Sequence, residues 1–473
     1  MVTRTKTKIT RRQFLAHTAG TAAAFTIVPR HVLGGTGYVP PSEKVNIAVI
    51  GCGGQGTTNI KQLLQFEDVQ IVAIADPTTS ANYEETYYGG FCGRAPAKKL
   101  IEEHYQTANP QYKCSDYNDF RVLFEKEKDI DAVLCATPDH WHAYVSMMAM
   151  KLGKHIYCEK PLSHNIWEAR QLAKVAAETK VATQMGNQGR SNAGHPTMCE
   201  WLRDGAVGTV SQVQAWSGSY AKVRRRGRPK DPMPVPEGLD WKLWLGPRAY
   251  RPYHEDYTPW KWRYWWAFGS GIVADMSIHH FDSAWSGLNL GLPTWIQGKS
   301  AYLDDENTSD NNRVIWMYEK TDQRPAVKLC WWDGEHRPKR PKELELGREM
   351  GHNGVLVIGD KGKIFGGGWS GSPRIIPEVK MQEYKRPPKT LPRSAGHHRN
   401  WIDACKSGGP TVSNFEYGAK LTELILLGTL AIRANQRIYW DAEQMKVKGM
   451  PNLDSIIRED YLPEWDIEKL MGT

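Results

Sequence analysis

The sequence predicts an α/β protein in which a doubly wound parallel sheet is followed by a second α/β domain with an open, mostly antiparallel sheet. Three observations predict this fold class. Between residues 45 and 185, buried-strand runs alternate with helically spaced stretches, as they do when right-handed crossovers join parallel strands. A glycine-rich turn directly follows the first of these runs. Beyond residue 186, several runs alternate apolar and polar residues, which is typical of antiparallel strands with one solvated face.

The first part of the chain is predicted to contain five strands and five helices. Apolar runs place the strands at Val45–Ile50, Val69–Ala75, Asp131–Ala136, His155–Cys158 and Val181–Met185. Apolar residues three and four apart place the helices at Thr57–Phe66, Lys98–Tyr105, Tyr117–Glu127, Ala143–Leu152 and Ile166–Glu178. The segment Thr78–Arg94, which is rich in glycine, tyrosine and threonine, is predicted to be irregular.

The second part begins with a predicted helix, His195–Asp204, and continues with strands. These strands are expected at Thr209–Ser217, Trp295–Tyr302, Arg313–Tyr318, Ala326–Trp332, Val355–Ile358 and Lys363–Phe365. The predicted helices Asn400–Lys406 and Tyr417–Asn435 should pack back on the first domain or brace the junction. A chain of 473 residues is long enough for several domains. We place them at 43–186, 187–395 and 396–473, after a leader at 1–34.

The net charge of the chain is concentrated at its start. The formal charge is +9, and residues 1–34 carry six basic residues and no acid, so the rest of the chain carries only +3. A nearly balanced chain gives little support for nucleic-acid binding. We therefore expect no nucleic-acid partner.

The basic leader has the pattern of a twin-arginine export signal. Its core is Thr10-Arg11-Arg12-Gln13-Phe14-Leu15, and the apolar stretch that follows, Ala19–Val28, is too short to cross a bilayer as a helix. We therefore expect the twin-arginine export machinery to be a partner and the protein to be exported, in the periplasm. No small-x-small site is clear beyond Arg30, so cleavage and retention of the leader both stay open.

The glycine-rich turn predicts a dinucleotide site. The run Gly51-Cys52-Gly53-Gly54-Gln55-Gly56 follows a strand and opens a helix. Gly51 permits the tight turn, Gly53 lets the backbone approach a pyrophosphate, and Gly56 allows close helix–strand packing. Asp76 lies 20 residues after Gly56 at a strand end, where its carboxylate can accept hydrogen bonds from ribose hydroxyls. Because a carboxylate disfavours a 2′-phosphate, this Rossmann turn predicts NAD(H) rather than NADP(H).

Two further motifs follow strands at the same expected edge of the sheet, where α/β proteins bind ligands. One is Thr137-Pro138-Asp139-His140-Trp141-His142, and the other is Glu159-Lys160-Pro161. The cofactor site is therefore expected to include Gln55 of the glycine turn together with Thr137, Pro138, His140, His142, Glu159 and Lys160.

The Glu-Lys-Pro motif after Gly153–Cys158 resembles that of the Gfo/Idh/MocA oxidoreductases, which include glucose-fructose oxidoreductase and inositol dehydrogenase. The resemblance covers about residues 45–440. It implies a Rossmann domain and a C-terminal α/β domain whose open sheet often forms an oligomer interface, so a homo-oligomer, dimer or tetramer, is expected. It also implies that Asn187 touches the nicotinamide ribose or carboxamide, and that Lys160 stands between cofactor and substrate.

The same family has an Asp-x-x-x-His motif, matched here by Asp275 and His279 on one face of a predicted helix. The resemblance implies that His279 is an acid/base and that Asp275 orients it or binds a substrate hydroxyl. Lys160 can hydrogen-bond the substrate hydroxyl and stabilise an alkoxide. Asp275 and His279 would also suit a metal in principle. The motif explains the pair without one, so no metal is predicted.

An aromatic tract from Trp260 to Trp266 directly precedes the Asp/His motif. Indole faces stack on sugar rings, and a guanidinium binds hydroxyls or a carboxylate. Trp262 and Arg263 are therefore expected to bind substrate together with Lys160, Asp275 and His279.

These features predict an exported oxidoreductase that transfers hydride between tightly bound NAD(H) and a hydroxyl carbon of a sugar, polyol or glycoside. The alternative is a redox-neutral glycosidase or epimerase that works through a transient keto-sugar, as in a related group of NAD-dependent α-N-acetylgalactosaminidases. The lysine of Glu-Lys-Pro, which we do not expect in that group, favours the oxidoreductase. The sugar, the carbon oxidised and the electron acceptor stay open.

Overall fold

The computed structural model describes Pro40 and residues 43–218, 227–322 and 324–472. The predicted leader with its twin-arginine pair lies outside these residues. Among the helices described, none is both long and apolar enough to span a membrane. The predicted fold class is confirmed: a parallel sheet comes first and a larger, mostly antiparallel sheet follows. The described residues from 45 onward form one compact unit, and the domain boundaries inside it stay predictions.

The first sheet has six parallel strands, and it contains all five strands predicted between residues 45 and 185. From edge to edge the strands are Ser115–Tyr117, Val69–Ala75, Val45–Ile50, Ala132–Cys135, His155–Cys158 and Thr183–Met185. Its helices are Gly54–Leu63, Arg94–Gln106, Phe120–Lys126, Asp139–Lys151 and Ile166–Thr179. The order reverses between the strands at 45–50 and 132–135, which creates the crevice where doubly wound sheets bind ligands.

Two predictions in this half are corrected. Tyr117 was expected to begin a helix, yet it ends an edge strand that pairs with Ala73–Ala75. The helix begins only at Phe120, because the Asp119 side chain caps it by accepting a hydrogen bond from the Arg121 amide at 2.8 Å. The segment predicted to be irregular, 78–94, contains a small hairpin of the strands Ala81–Asn82 and Phe91–Cys92.

The second sheet has nine strands. In spatial order they are Arg374–Ile376, Lys363–Gly367, Asn353–Gly359, Val210–Ser217, Val327–Asp333, Asn312–Tyr318, Trp295–Ser300, Arg437–Asp441 and Lys446–Val447. All neighbours pair antiparallel except Val210–Ser217 with Val327–Asp333. The remaining α-helices are Gly194–Arg203, Trp241–Leu245, Gly271–Gly287, Glu378–Glu383, His397–Ser407, Phe415–Ala434, Asp454–Ile457 and Ile467–Met471.

Helix Phe415–Ala434 contacts elements of both sheets. On one side, the Trp316 indole of the nine-stranded sheet donates a hydrogen bond to the Leu424 carbonyl at 2.8 Å. On another side, the Arg170 guanidinium of helix Ile166–Thr179 makes two hydrogen bonds to the Glu423 carboxylate, at 2.8 and 2.6 Å. Helix Gly271–Gly287, called the site helix below, also packs against Phe415–Ala434. This packing fixes the site helix relative to the parallel sheet.

Candidate functional site

A cavity of about 500 Å³ lies between the carboxyl ends of the parallel strands and the site helix. Most of the predicted site residues line it: Gly51, Gly53, Gln55, Asp76, Thr137, Pro138, His142, Glu159, Lys160, Trp262, Arg263, Asp275 and His279. Three predicted residues do not line it: Gly56, His140 and Asn187. The cavity therefore joins the glycine turn, the Glu-Lys-Pro turn, the Asp/His motif and part of the aromatic tract in one place.

The glycine turn has the shape that a dinucleotide needs. Gly51 has φ +89°, and a methyl group on it would lie 2.7 Å from the Ala136 backbone. A methyl group on Gly56 would collide with the Gly51 carbonyl oxygen, so Gly56 serves packing rather than ligand contact. No side chain caps the helix that begins at Gly54, and its first turn holds no acid. The backbone N–H groups and the partial positive charge at this helix end therefore suit the phosphates of NAD.

Asp76 is held at the cavity wall by backbone amides. One carboxylate oxygen accepts a hydrogen bond from the Cys52 N–H and the other from the Thr78 N–H, both at 2.7 Å. Burial raises the pKa of Asp76, and these two hydrogen bonds oppose the rise. A carboxylate oxygen has a second acceptor position, so the held carboxylate can still accept hydrogen bonds from ribose hydroxyls.

We expect Asp76→Asn to shift the ratio of the NAD and NADP dissociation constants toward NADP by about tenfold or more, because it removes the charge that repels a 2′-phosphate. Titration of both cofactors by calorimetry measures this ratio. Asp116→Asn is the matched control, because Asp116 pairs with Arg94 and Lys98 beside the cavity but does not line it. An unchanged ratio in Asp76→Asn contradicts the assignment.

Glu159 ties the glycine helix to the Glu-Lys-Pro turn. Its Oε1 accepts hydrogen bonds from the amides of Asn59 at 2.9 Å, Gln188 at 3.2 Å and Gln55 at 3.3 Å. Burial raises the pKa of Glu159, and the Asn59 hydrogen bond and the Lys160 charge oppose this. Glu159 thus lines the cavity mainly as a link that fixes the turn carrying Lys160.

Lys160 and Asp275 form an ion pair across the cavity. The Lys160 ammonium donates a short hydrogen bond to the Asp275 carboxylate and another, at 3.2 Å, to the Asp275 backbone carbonyl. The two side chains are only 16% and 17% exposed. Burial lowers the pKa of Lys160, but the adjacent Asp275 carboxylate more than offsets this and raises it above its usual value. Lys160 is therefore a charged donor at neutral pH.

His279, one helical turn after Asp275, is a neutral imidazole. Burial lowers its pKa well below the usual value, and the Lys160 charge lowers it further. Its Nδ1 is buried and has no hydrogen-bond partner among the described residues. A neutral ring at the cavity wall can accept a proton.

Two of the predicted residues that do not line the cavity have their polar atoms engaged elsewhere. The ring nitrogens of His140 lie 3.1 Å from the Trp244 carbonyl oxygen and 3.4 Å from the Phe268 carbonyl oxygen. The Asn187 amide donates to Asp282 at 2.7 Å and accepts from the Ser413 hydroxyl at 2.6 Å. Both side chains are buried, so they support the walls of the site rather than face it.

Trp260, Trp262 and Trp369, called the aromatic wall below, line the same cavity as the Lys160–Asp275 pair. The Arg263 guanidinium lies 4.1 Å from the centroid of the Trp262 ring and 5.4 Å from that of Trp260. The sequence prediction missed Trp369, which is 36% exposed and whose ring centroid lies 5.5 Å from that of His279. Trp369 and Ser370 both have positive φ, of 55° and 56°. Non-glycine residues in this conformation concentrate at functional sites.

Three tyrosines of the hairpin segment also line the cavity and were missed: Tyr83, Tyr87 and Tyr88. Their only signal in the sequence is the repeated tyrosine in a glycine-rich segment. No cluster of three or more metal-binding side chains occurs in the described residues.

Two family models match the chain. Residues 45–187 match the Gfo/Idh/MocA model described as "Oxidoreductase family, NAD-binding Rossmann fold". Residues 206–319 match the companion model described as "Oxidoreductase family, C-terminal alpha/beta domain". Together they cover more than half of the chain.

Curated relatives match part of the chain. Levoglucosan dehydrogenase from Pseudarthrobacter phenanthrenivorans is 24% identical over 217 residues, which is 42% of this chain and 46% of the relative. An α-N-acetylgalactosaminidase from Shewanella oneidensis is 25% identical over 205 residues, 42% of this chain and 41% of the relative. The chain thus spans less than half the length of these relatives.

Solved structures share the fold along most of the chain. The WlbA dehydrogenase from Bordetella pertussis, solved with NADH and UDP-GlcNAcA, has a TM-score of 0.56 at 15% identity and covers 84% of this chain and 98% of its own. The aldose-aldose oxidoreductase from Caulobacter crescentus, solved with glycerol, has a TM-score of 0.53 at 16% identity and covers 84% and 99%. With both family models in sequence order and this fold around one cavity, the chain belongs to the Gfo/Idh/MocA oxidoreductase family.

Proposed function

We propose that the protein is an NAD-dependent oxidoreductase that acts on a CH–OH group of a sugar, polyol or glycoside. The observation that carries this proposal is that the glycine turn, the Lys160–Asp275 pair and the neutral His279 all line one cavity. Its walls thus combine an anion-binding helix end with a fixed positive charge and a proton acceptor.

Each of these side chains has a distinct role in the proposed reaction. NAD⁺, when bound, supplies the hydride acceptor. The Lys160 ammonium donates a hydrogen bond to the substrate oxygen and stabilises the negative charge that develops there. The Asp275 carboxylate keeps Lys160 charged and fixes its position. His279 takes the hydroxyl proton, because its imidazole stays neutral beside the ammonium.

The aromatic wall supports a carbohydrate substrate. Trp262 and Trp369 line the cavity, where indole rings can stack on a sugar, and Arg263 adds hydrogen-bond donors beside Trp262. The names of several relatives point the same way, since levoglucosan dehydrogenase and the glycosidases act on sugars.

We further propose that the protein is exported by the twin-arginine route, which moves folded proteins, and that it carries NAD(H) loaded before export. The basis is the sequence pattern at residues 10–15. Outside the cytoplasm, free NAD would not replace a spent cofactor, so the bound cofactor must be reset by a second substrate or later in the same cycle. A homo-oligomer built on the open sheet stays part of this proposal.

A redox-neutral glycosidase or epimerase is the second candidate. Proteins named for glycosyl hydrolase family 109 recur among the relatives of this chain. In this candidate reaction the same residues would move the hydroxyl proton while a ring carbon gives its hydride to bound NAD⁺ and later takes it back, with cleavage or inversion between the two steps.

The first test asks whether the purified protein carries nicotinamide. We expect mass spectrometry of the denatured full chain to find close to one NAD(H) per chain. The loaded protein is then offered a panel of sugars and glycosides, scored separately for keto product and for cleaved glycoside. Keto product without cleavage supports the oxidoreductase, and cleavage without net oxidation supports the second candidate. Absence of nicotinamide from the purified protein would overturn both.

A further inference from the structure

Residues 78–93, called the tyrosine hairpin below, lie against the glycine turn. The hairpin starts two residues after Asp76 and is anchored at both ends. At one end the Thr79 N–H donates to the Gly238 carbonyl at 2.7 Å, and at the other the Gly93 N–H donates to the Cys52 carbonyl at 2.9 Å. The Arg94 guanidinium adds a hydrogen bond to the Asp76 carbonyl at 2.8 Å. These anchors fix the ends of the hairpin beside the predicted phosphate and ribose positions.

Two tyrosines of the hairpin lie directly over the glycines that begin the helix. A methyl group on Gly53 would lie 2.7 Å from the Tyr83 hydroxyl oxygen, and one on Gly54 would collide with the Tyr88 ring. The Tyr88 hydroxyl also donates to the side-chain oxygen of Gln55 at 3.2 Å. Only glycine at 53 and 54 leaves room for these contacts, so the turn and the tyrosines fit each other.

The tyrosines form a connected set with protonated hydroxyls. The rings of Tyr83 and Tyr88 meet edge to face at 6.2 Å, and those of Tyr87 and Tyr88 lie 4.1 Å apart. Tyr87 stands at the rim, 76% exposed, and its hydroxyl donates to that of Tyr88 at 2.6 Å. Desolvation raises the pKa of Tyr83 and of Tyr88 well above the usual value. Both phenols are therefore O–H donors, the state that an anionic group attracts.

We propose that the tyrosine hairpin retains the dinucleotide, with the Tyr83 and Tyr88 hydroxyls bonding its diphosphate at the glycine turn, so that NAD(H) leaves only when the hairpin lifts. The inference rests on the proposed function, which requires bound NAD(H). In this structure the two tyrosines rest directly on Gly53 and Gly54, and the Tyr83 hydroxyl accepts a hydrogen bond from the Gly54 N–H. The diphosphate therefore binds when the hairpin moves outward, and the hydroxyls then close over it. A chain that works where free NAD is scarce needs slow release, and this hairpin provides a physical cause for it.

The test measures release of bound cofactor from the full chain. Protein purified with NAD is mixed with a large excess of isotope-labelled NAD, and the unlabelled NAD left on the protein is followed by mass spectrometry. We expect Tyr88→Ala to speed release by about tenfold or more and Tyr83→Phe by several-fold, as follows from losing hydrogen bonds to a charged group. Phe91→Ala is the matched control, because Phe91 is 62% exposed on the same hairpin and does not line the cavity. Its release rate should stay within about twofold of the wild-type rate.

Each outcome bears on the proposal. Equal release rates in wild type and both tyrosine variants overturn it, and so does slower release, which would mean that the tyrosines compete with the phosphates. Tyr83→Phe removes one oxygen atom only and keeps the ring packing, so it tests the proposal even where Tyr88→Ala fails to fold. A wild-type protein without nicotinamide overturns the proposed function and the hairpin together, whereas bound NAD with unchanged release overturns only the hairpin.

Discussion

Replacing Lys160 by methionine is expected to lower the rate of hydride transfer by about 100- to 1,000-fold or more and to leave NAD on the protein. Methionine keeps the length of the side chain but removes the charge that would stabilise the substrate oxygen. Loss of one such hydrogen-bond donor lowers the rate of an enzyme by about 100- to 1,000-fold. NAD stays bound because the phosphates and ribose are held by the glycine turn and Asp76. Single-turnover absorbance of NADH gives the rate, and mass spectrometry gives the cofactor content.

A second variant separates chemistry from stability. Lys160→Met removes the ammonium that pairs with the Asp275 carboxylate, which is only 17% exposed, and loss of one partner of such a pair should destabilise the fold by about 3–5 kcal/mol. Asp275→Asn in the same chain removes the negative charge of this carboxylate. We expect the double variant to recover most of the melting temperature and none of the turnover. Recovery of turnover in the double variant, or full turnover in Lys160→Met, would contradict the role of Lys160.

The parallel sheet could be predicted because its strands are continuous apolar runs between helices of clear period. The deviations have local causes. The first helix begins at Gly54 rather than Thr57, because the glycine motif itself forms the first turn. The strand Ser115–Tyr117 carries no apolar run and exists through its pairing with Ala73–Ala75, which no local pattern reveals.

The location of the candidate site residues could be predicted where they stand in one motif. Lys160 is fixed by its place in Glu-Lys-Pro, and Asp275 and His279 by their four-residue spacing on one helix. Asn187, assigned by family resemblance, has its amide engaged by Asp282 and Ser413 in a buried layer behind the cavity. That layer assembles from distant segments, so the sequence gives no local sign of it.

Trp369 was missed for a similar reason. It stands in a glycine- and serine-rich loop after the strand Lys363–Gly367, a context that predicts only a turn. Long-range contacts direct the loop to the site: the Asn192 amide donates to the Trp369 carbonyl at 3.1 Å, and Gly189 packs against its backbone. The one sign in the sequence is a large aromatic residue in a turn that has no regular spacing of apolar residues, and this could have marked Trp369 as a candidate site residue.

His279 is expected to make the activity insensitive to mild acid. A histidine of ordinary pKa, about 6.5, would lose its base form below that pH, and the rate would fall tenfold per pH unit. Because burial and then the Lys160 charge hold the pKa of His279 well below that value, kcat/KM should stay level from about pH 8 down to well below pH 6.5. The unfolded chain takes up this proton at about pH 6.5 and the folded chain does not, so His279 lowers the free energy of unfolding as the pH falls below 6.5. A break in kcat/KM near pH 6.5 that His279→Gln removes would contradict the assignment.

The His279 imidazole also connects the prediction for Lys160 with the prediction for His279. His279→Gln is expected to lower turnover by about 100- to 10,000-fold, the usual worth of a positioned base. Since Lys160 is the neighbouring charge that most depresses the pKa of His279, Lys160→Met should raise that pKa, and the remaining Asp275 carboxylate should raise it further. Nitrogen NMR of ¹⁵N-histidine-labelled protein reads this shift directly, without any need for activity, with His279→Gln assigning the signal. An unchanged His279 titration in Lys160→Met would mean that ammonium and imidazole are too far apart to share one substrate oxygen, and the proposed division of labour between them would fail.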